Sequence, residues 1–447
     1  MNGVDYIKID AIEVSDVYRL AQISGGSDFN ELVRCKLHGG SHVGNSGVML
    51  FSVDGKANTH NWIHHCEIYD AGFINIDCDD SSNLMKIGGY GTDYVSGHNT
   101  IEDNLLYWGG HHVLETYTKE NVIRNNIFHN EGWMSPPAGI SCTPREPSAS
   151  GKWGNRNIQI YDGNYQSAMH NLIEGNRLGH AGPPSDGNGA NNLVLTSPAN
   201  IARYNTIFNA GEKNIMLKQG GQGSSDSDNN RIYNNTCHTT TGQRPGADSM
   251  WFHDASDGNV VINNIFYGAY RYDMSPAVKV EGNTERNNWL TTDGDPLFTN
   301  PDMTDAGSAV LPDLTLQAGS DAINQGVHLT EANGSGMNLT TLIVDDALFF
   351  QDGSWGSALS HVAGDVLAVG SVSNTAKIRS IDYTNNVITL MAPITWSDND
   401  RIWLFSDSDG TRVLRGAAPD QGAHESSHSP TPSRPTAPPG LWIVPTT

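Results

Sequence analysis

Basic residues are scarce in this chain: Lys and Arg number 26 against 49 Asp and Glu, a net charge of −23 over 447 residues. That balance argues against a nucleic-acid partner and suits an extracellular or saline setting, with calcium as a cation that such a surface attracts. It also weighs against an anionic substrate unless a cleft is locally basic. Cysteine is sparse and odd in number, five in all, with no metal-like spacing. No apolar run is long enough to span a membrane and no secretory signal opens the chain. Met1 runs almost directly into the first repeat, as expected of a piece cut from a longer secreted product.

What the chain has in abundance is a recurring frame, Asn-x-apolar-x-x-Asn-x-apolar, seen in Asn121-Val122-Ile123-Arg124-Asn125-Asn126-Ile127-Phe128. Counted from its first residue, the frame marks positions +2, +5 and +7. Ten frames follow one another, starting at Asp5, Asn30, Asn61, Asn99, Asn121, Asn171, Asn200, Asn230, Asn259 and Asn283. The frame alternates by two, is rich in Ile, Val and Asn, and is flanked by Gly and Asn, so it predicts two short strands per repeat rather than helices. Repeats of this kind stack as the coils of a solenoid, ~4.8 Å apart, each covering its neighbour's core. The +5 Asn is expected at the bend between the strands, its amide turned inward to satisfy a buried turn. Cys35 and Cys66 hold that slot in successive coils, as stacked thiols or as a coil-to-coil disulfide.

Stacked Asn bends between two short strands, followed by a variable loop, resemble the right-handed parallel β-helix of the pectate-lyase-like superfamily over roughly residues 4 to 325. The resemblance implies an all-β solenoid and leaves the chemistry open, because lyases, hydrolases, epimerases, tailspikes and adhesins share that architecture.

The organisation expected is a parallel β-helix over residues 1–330 with a small antiparallel barrel or sandwich, 331–415, near its C-terminal end. Five strands without the Asn frame mark the latter, with a hairpin turn at Tyr383-Thr384-Asn385-Asn386. Asp295-Pro296-Leu297-Phe298 and Leu314–Ile323 are similar to closing strands of bacterial β-helix proteins, and so is Asp420-Gln421-Gly422-Ala423-His424-Glu425. Residues 416–425 are therefore expected to form a closing strand, and 426–447, rich in Ser, Pro and Thr, a disordered linker.

Each coil needs a third strand after its variable loop, and alternation picks these out from Leu84–Ile87 to Val278–Val280. Two outward rows result. One reads Lys86, Glu115, Gln159, Val194, Met216, Trp251, Lys279; the other reads Gly88, Tyr117, Tyr161, Thr196, Lys218, His253, Glu281. The resemblance implies that this sheet carries the substrate groove, walled by the long loop 130–156 with Trp133. Lys86, Glu115, Tyr117 and Tyr161 converge there, with His112 at the edge. Removing the proton beside a uronate carboxylate needs a base, a cation for the enolate and an acid at the leaving oxygen. Lys86 suits the base, either Tyr the acid, and Arg124 or calcium the cation; the opposing reading is an ordinary Lys–Glu surface pair. Gln159, Lys218, Trp251 and His253 would continue the binding surface. Asp77, Asp79 and Asp80 form an acidic loop able to hold Ca2+ or merely to be solvated. At +8, His38, Tyr69, Tyr107 and His129 form a stripe that either stacks on sugars or only lines up like residues. Three His (111, 112, 129) are a weaker metal candidate. These features favour an extracellular enzyme cleaving an acidic polysaccharide by β-elimination. A glycoside hydrolase, with Glu115 partnered by Asp79, Asp80 or Glu131, is one alternative; a non-catalytic glycan-binding spike is another.

Overall fold

The computed structural model describes residues 1–40, 47–51, 55–71, 83–89, 95–109, 111–130, 156–161, 168–181, 190–218, 227–239, 248–252, 256–268, 271–273, 282–302 and 311–426. Three parallel sheets organise its larger part. The first has ten strands from Lys8–Asp10 to Thr284–Arg286, the second ten from Glu13–Ser15 to Trp289–Leu290, and the third nine from Ala21–Ser24 to Arg271–Asp273. Every strand pairs in parallel with its counterpart one coil away, so the chain is a right-handed parallel β-helix. The +2 residues Ile63, Ile101, Ile123 and Ile173 pair in series, as do the +7 residues Ile68, Leu106, Phe128 and Leu178, and all are buried in one continuous core.

The corners explain the frame. Residues at −1 and +4 adopt left-handed backbone, for example His98 and Asp103, Glu120 and Asn125, Ala199 and Tyr204. Non-glycine residues enter that region at a cost of about 1–2 kcal/mol each. From the Asn99 frame onward each is followed by an Asn that offsets it. From Asn30 through Asn61, Asn99 and Asn121 to Asn283, the backbone N–H and the side-chain Nδ2 both donate to Oδ1 of the next coil's Asn, at 2.8–3.3 Å. A second column runs the same way from Asn104 to Asn288 at 2.8–3.1 Å. The frame's first Asn therefore builds a column of its own, beyond the +5 series. Cys66 extends the second column, its N–H donating to Asn104 Oδ1 at 2.9 Å, and both Cys35 and Cys66 are free thiols.

The first frame begins at Ile7 and not at Asp5. Lys8 pairs with Glu31, and the Ile7 N–H donates to Asn30 Oδ1, the place an Asn takes in later coils. The inward residues of this coil are consequently Ile9, Ile12 and Val14, which line an apolar cavity of ≈ 540 Å³ at the helix's N-terminal end. A slip of two residues preserves strand alternation, so periodicity alone does not detect it.

Six antiparallel strands form the smaller unit: Thr330–Glu331, Gly336–Ile343, Val366–Val369, Thr375–Asp382, Val387–Trp396 and Arg401–Ser406. A bridge between Ala332 and Val344 draws its edge strands together. It lies along the outer face of the first sheet instead of over the last coil. Val122, Leu172, Ile201, Tyr204, Tyr233 and Ile262 share one apolar core with Phe349, Phe350, Trp355 and Leu367 of the smaller unit.

Two further expectations change. Phe298–Asn300 and Asp313–Leu316 pair with each other in antiparallel fashion and pack on Ile265, Tyr267 and Trp289 of the second sheet. Residues 416–425 form no strand; they run along the corner between the first and second sheets. There Asn234 Nδ2 donates to Asp420 O and Gly422 N–H to Asn263 O, both at 2.8 Å. Residues 427–447 lie outside the described part.

Candidate functional site

Among the described residues, the outer face of the third sheet carries a set of chemistry-bearing side chains on adjacent strands. Pairing sets Lys86, Glu115, Gln159, Val194, Met216 and Trp251 in one row, the row read from the sequence. Beyond Trp251 the next paired strand is Arg271–Asp273, with Trp251 opposite Asp273; the expected strand at 278–280 lies outside the described part. Tyr117 and Tyr161 follow Glu115 and Gln159 on adjacent coils, with their ring centroids 5.3 Å apart. The Lys86 ammonium sits 4.7 Å above the Tyr117 ring, an attraction between a cation and the ring's negative face.

A neighbouring row was not read from the sequence. Asn83, His112 and Arg156 pair in register one step before it. Two consecutive inward residues, Leu84–Met85 and Val113–Leu114, break simple alternation here and bring the strand's first residue to the same face as its fourth. The two rows are knitted together. Asn83 Nδ2 donates to Glu115 Oε2 at 2.6 Å, Asn83 Oδ1 lies 2.9 Å from His112 Nδ1, and His112 Nε2 lies 3.0 Å from both an Arg156 terminal nitrogen and Gln159 Oε1. Arg156 also donates to Gln159 Oε1. All five side chains are buried.

Electrostatics follow from that burial. Desolvation, with the charges of Arg156, Lys218 and Lys86 nearby, holds His111 well below the usual imidazole range, and desolvation with His111 and Arg156 does the same for His112. Their rings stack at 3.9 Å. Lys218, two coils beyond Tyr161, is lowered to about 8, first by burial and then by the Arg156 charge. Arg156, Lys218 and Lys86 thus all act on His111, with Glu115 tied into the same network through Asn83 and Glu212 acting on Lys218. The next described carboxylate in the strands of this sheet is Asp248, four strands on and paired with Lys213 at 2.7 Å.

Other expected site residues are placed elsewhere or outside the described part. Arg124 is on the first sheet, buried against the smaller unit, donating to Glu102 and, at 2.8 Å, to Ser408 O. Its alternate position along the strand faces outward into that packed face, which removes it from the groove. His129 is on the second sheet, stacked on Tyr107 at 4.7 Å, so it joins neither the patch nor a cluster with His111 and His112. In the stripe His38, Tyr69, Tyr107 and His129 the rings are parallel within 7° and 4.7–4.8 Å apart. Their faces cover one another, leaving edges rather than faces for a sugar. Trp133, His253, Asp77, Asp79 and Asp80 lie outside the described residues. Among the described residues no group of three His, Cys, Asp or Glu side chains is placed to hold a metal. Asp407 and Asp409 are engaged by the Thr411 N–H at 2.9 and 2.8 Å in a turn docked on Asn125.

No protein-family model and no curated protein matches the chain. Among solved structures, pectate lyase Pel9A matches over 72% of this chain at 15% identity with a TM-score of 0.36. XylC in complex with xylose matches over 94% at 10% identity and a TM-score of 0.43. The tailspike protein of E. coli bacteriophage HK620, in complex with a pentasaccharide, matches over 86% at 10% identity and 0.37. The matched parts span 67%, 65% and 69% of those chains, about two thirds of their length, and the likeness is one of fold.

Proposed function

From a parallel β-helix whose third sheet gathers Lys86, Arg156, Lys218 and two phenols on one face, we propose an extracellular enzyme that cleaves an acidic polysaccharide by β-elimination. The observation that carries the reading is the meeting of Lys86, Arg156 and Lys218 in a chain of net charge −23. A cationic patch on an acidic protein suits a substrate with its own carboxylates.

In this reading a uronate carboxylate lies against Arg156. Lys218, the amine held near 8, takes the proton from the carbon next to that carboxylate. The electron pair forms the new carbon–carbon double bond as the bond to the glycosidic oxygen breaks. Tyr117 or Tyr161 returns a proton to that oxygen. Lys86, held over the Tyr117 ring, offsets the enolate charge together with Arg156. Trp251 and Met216, further along the row, offer an apolar shelf to a sugar bound beyond the cleavage point. Calcium at Asp77, Asp79 and Asp80 is an additional proposal, tested by chelation.

The test is a screen of alginate, pectate, chondroitin and neutral glycans, reading the ultraviolet absorbance of the unsaturated product alongside new reducing ends. Absorbance on an acidic glycan is expected, rising with pH through about 8 as Lys218 loses its proton. Reducing ends without absorbance would make the protein a hydrolase, and binding without either a glycan-holding spike. Lys218→Ala should lower kcat by roughly 10²–10⁴-fold; full activity in that variant would move the base to Lys86.

A further inference from the structure

We infer that Asn83 and His112 are positioning residues that hold Arg156 in the site, with His112 neutral and protonated on Nδ1. The role in turnover rests on the β-elimination reading; the arrangement itself rests on geometry alone.

Glu115 determines the polarity of the chain. Its Oε2 lies 2.6 Å from Asn83 Nδ2, a charge-assisted contact that only the amide nitrogen can make to an ionised carboxylate. The Asn83 oxygen is thereby turned to His112 Nδ1, 2.9 Å away, and accepts from it. Nδ1 therefore carries the proton, and Nε2 is left as an acceptor. Facing Nε2 at 3.0 Å is an Arg156 terminal nitrogen, which can only donate. The opposite tautomer would aim N–H at N–H across that contact and set the Asn83 oxygen against a carboxylate oxygen. Gln159 Oε1 accepts from Arg156 and also lies 3.0 Å from His112 Nε2, so the Arg156 N–H groups stand between two acceptors; that one contact favours the opposite tautomer, against the Asn83 and Arg156 contacts that favour Nδ1–H.

Most of the groups that face His112 disfavour a charged ring: His111 is stacked on it, and Arg156 and Lys218 raise the positive potential, while Gln159 Oε1 at 3.0 Å and Glu115 Oε1 at 3.7 Å act the other way. Burial adds to the cost of a charged ring, holding its protonation well below the ordinary range. Protonation of His112 would place two cations 3.0 Å apart and release Arg156. Arg156 grip is thus lost on the acid side, through a residue that does not itself touch the substrate.

Two measurements decide it on the full chain. Ring ¹⁵N shifts of His112, in ¹⁵N-histidine-labelled protein, are expected to show the Nδ1–H tautomer at neutral pH without substrate. An Nε2–H tautomer or a doubly protonated ring there overturns the arrangement whatever the enzyme does. On the acidic glycan turned over in the screen, Asn83→Ala is expected to raise KM by about tenfold, because Arg156 shifts from its position. His112→Gln, whose amide oxygen can still accept from Arg156, should keep most activity and lose the acid limb of the pH profile. An acid limb unchanged in His112→Gln overturns the positioning role. If no glycan is cleaved, the proposed function fails, while the tautomer measurement still decides the arrangement.

Discussion

Asn176 illustrates what one side chain contributes to this fold. Its Oδ1 accepts from the Asn126 N–H and Nδ2 at 3.0 and 3.1 Å, and its Nδ2 donates to Ile123 O at 2.8 Å and Asn205 Oδ1 at 3.1 Å. Asn176→Ala strands buried partners on both sides and should cost about 3 kcal/mol in denaturant unfolding; a loss below ~1 kcal/mol would mean that the column relaxes around the gap. Glu425 gives a pH-dependent counterpart. Burial, then the Asp420 carboxylate, pushes its pKa up to about 8. Between the ordinary carboxyl value of 4.5 and about 8 the folded state keeps a proton that the unfolded state has lost, so stability is full below that window and falls as pH rises through it. Glu425→Gln should flatten this slope, as thermal melting across pH would show. At this scale the sequence was partly legible. The +5 Asn slot and the row Lys86, Glu115 and Gln159 follow from alternation. Asn83 and Arg156 do not, because Leu84 and Met85 both point inward and strict alternation skips the residue before them.

Among elements, the first sheet is covered on its outer face by the smaller unit. One of its strands shows this as an unbroken apolar run, Val260-Val261-Ile262, a signal of two-sided burial that a search for alternation passes over. The smaller unit was legible as a separate β element from the loss of the Asn frame, but its seat was not, since nothing local in 331–415 names a docking face. Arg203 fastens it. Fully buried, Arg203 reaches Glu174 Oε2 at 2.6 Å, both Asp365 oxygens at 2.7 Å and the Tyr233 hydroxyl at 2.9 Å. Arg203→Met leaves two carboxylates buried without their cation, a loss of about 3–5 kcal/mol. We expect early release of the smaller unit, visible as protease cleavage near residue 330 before the β-helix melts. Simultaneous melting of both parts would show that they unfold as one.

For the whole molecule, net charge and site charge have opposite signs, and this shapes how a polyanion approaches. At low ionic strength the overall field repels it, while the patch at Arg156 and Lys218 acts only at close range. Added salt should therefore first lower KM by screening the long-range repulsion and then raise it as the local pairing weakens. A KM that only rises with salt would locate the substrate away from this patch.

The Asn columns also give the rod a direction. In every rung the backbone N–H and one side-chain N–H donate toward the following coil and the side-chain oxygen accepts from the preceding one, while in the second column the other side-chain N–H turns back to a carbonyl of the preceding coil. The amide dipoles consequently add head to tail, as peptide dipoles do along an α-helix, with the positive pole at the C-terminal end. The solenoid is thus an electrical arrow as well as a stack. A polysaccharide, which has distinct ends of its own, does not meet the two directions along the third sheet as equivalents.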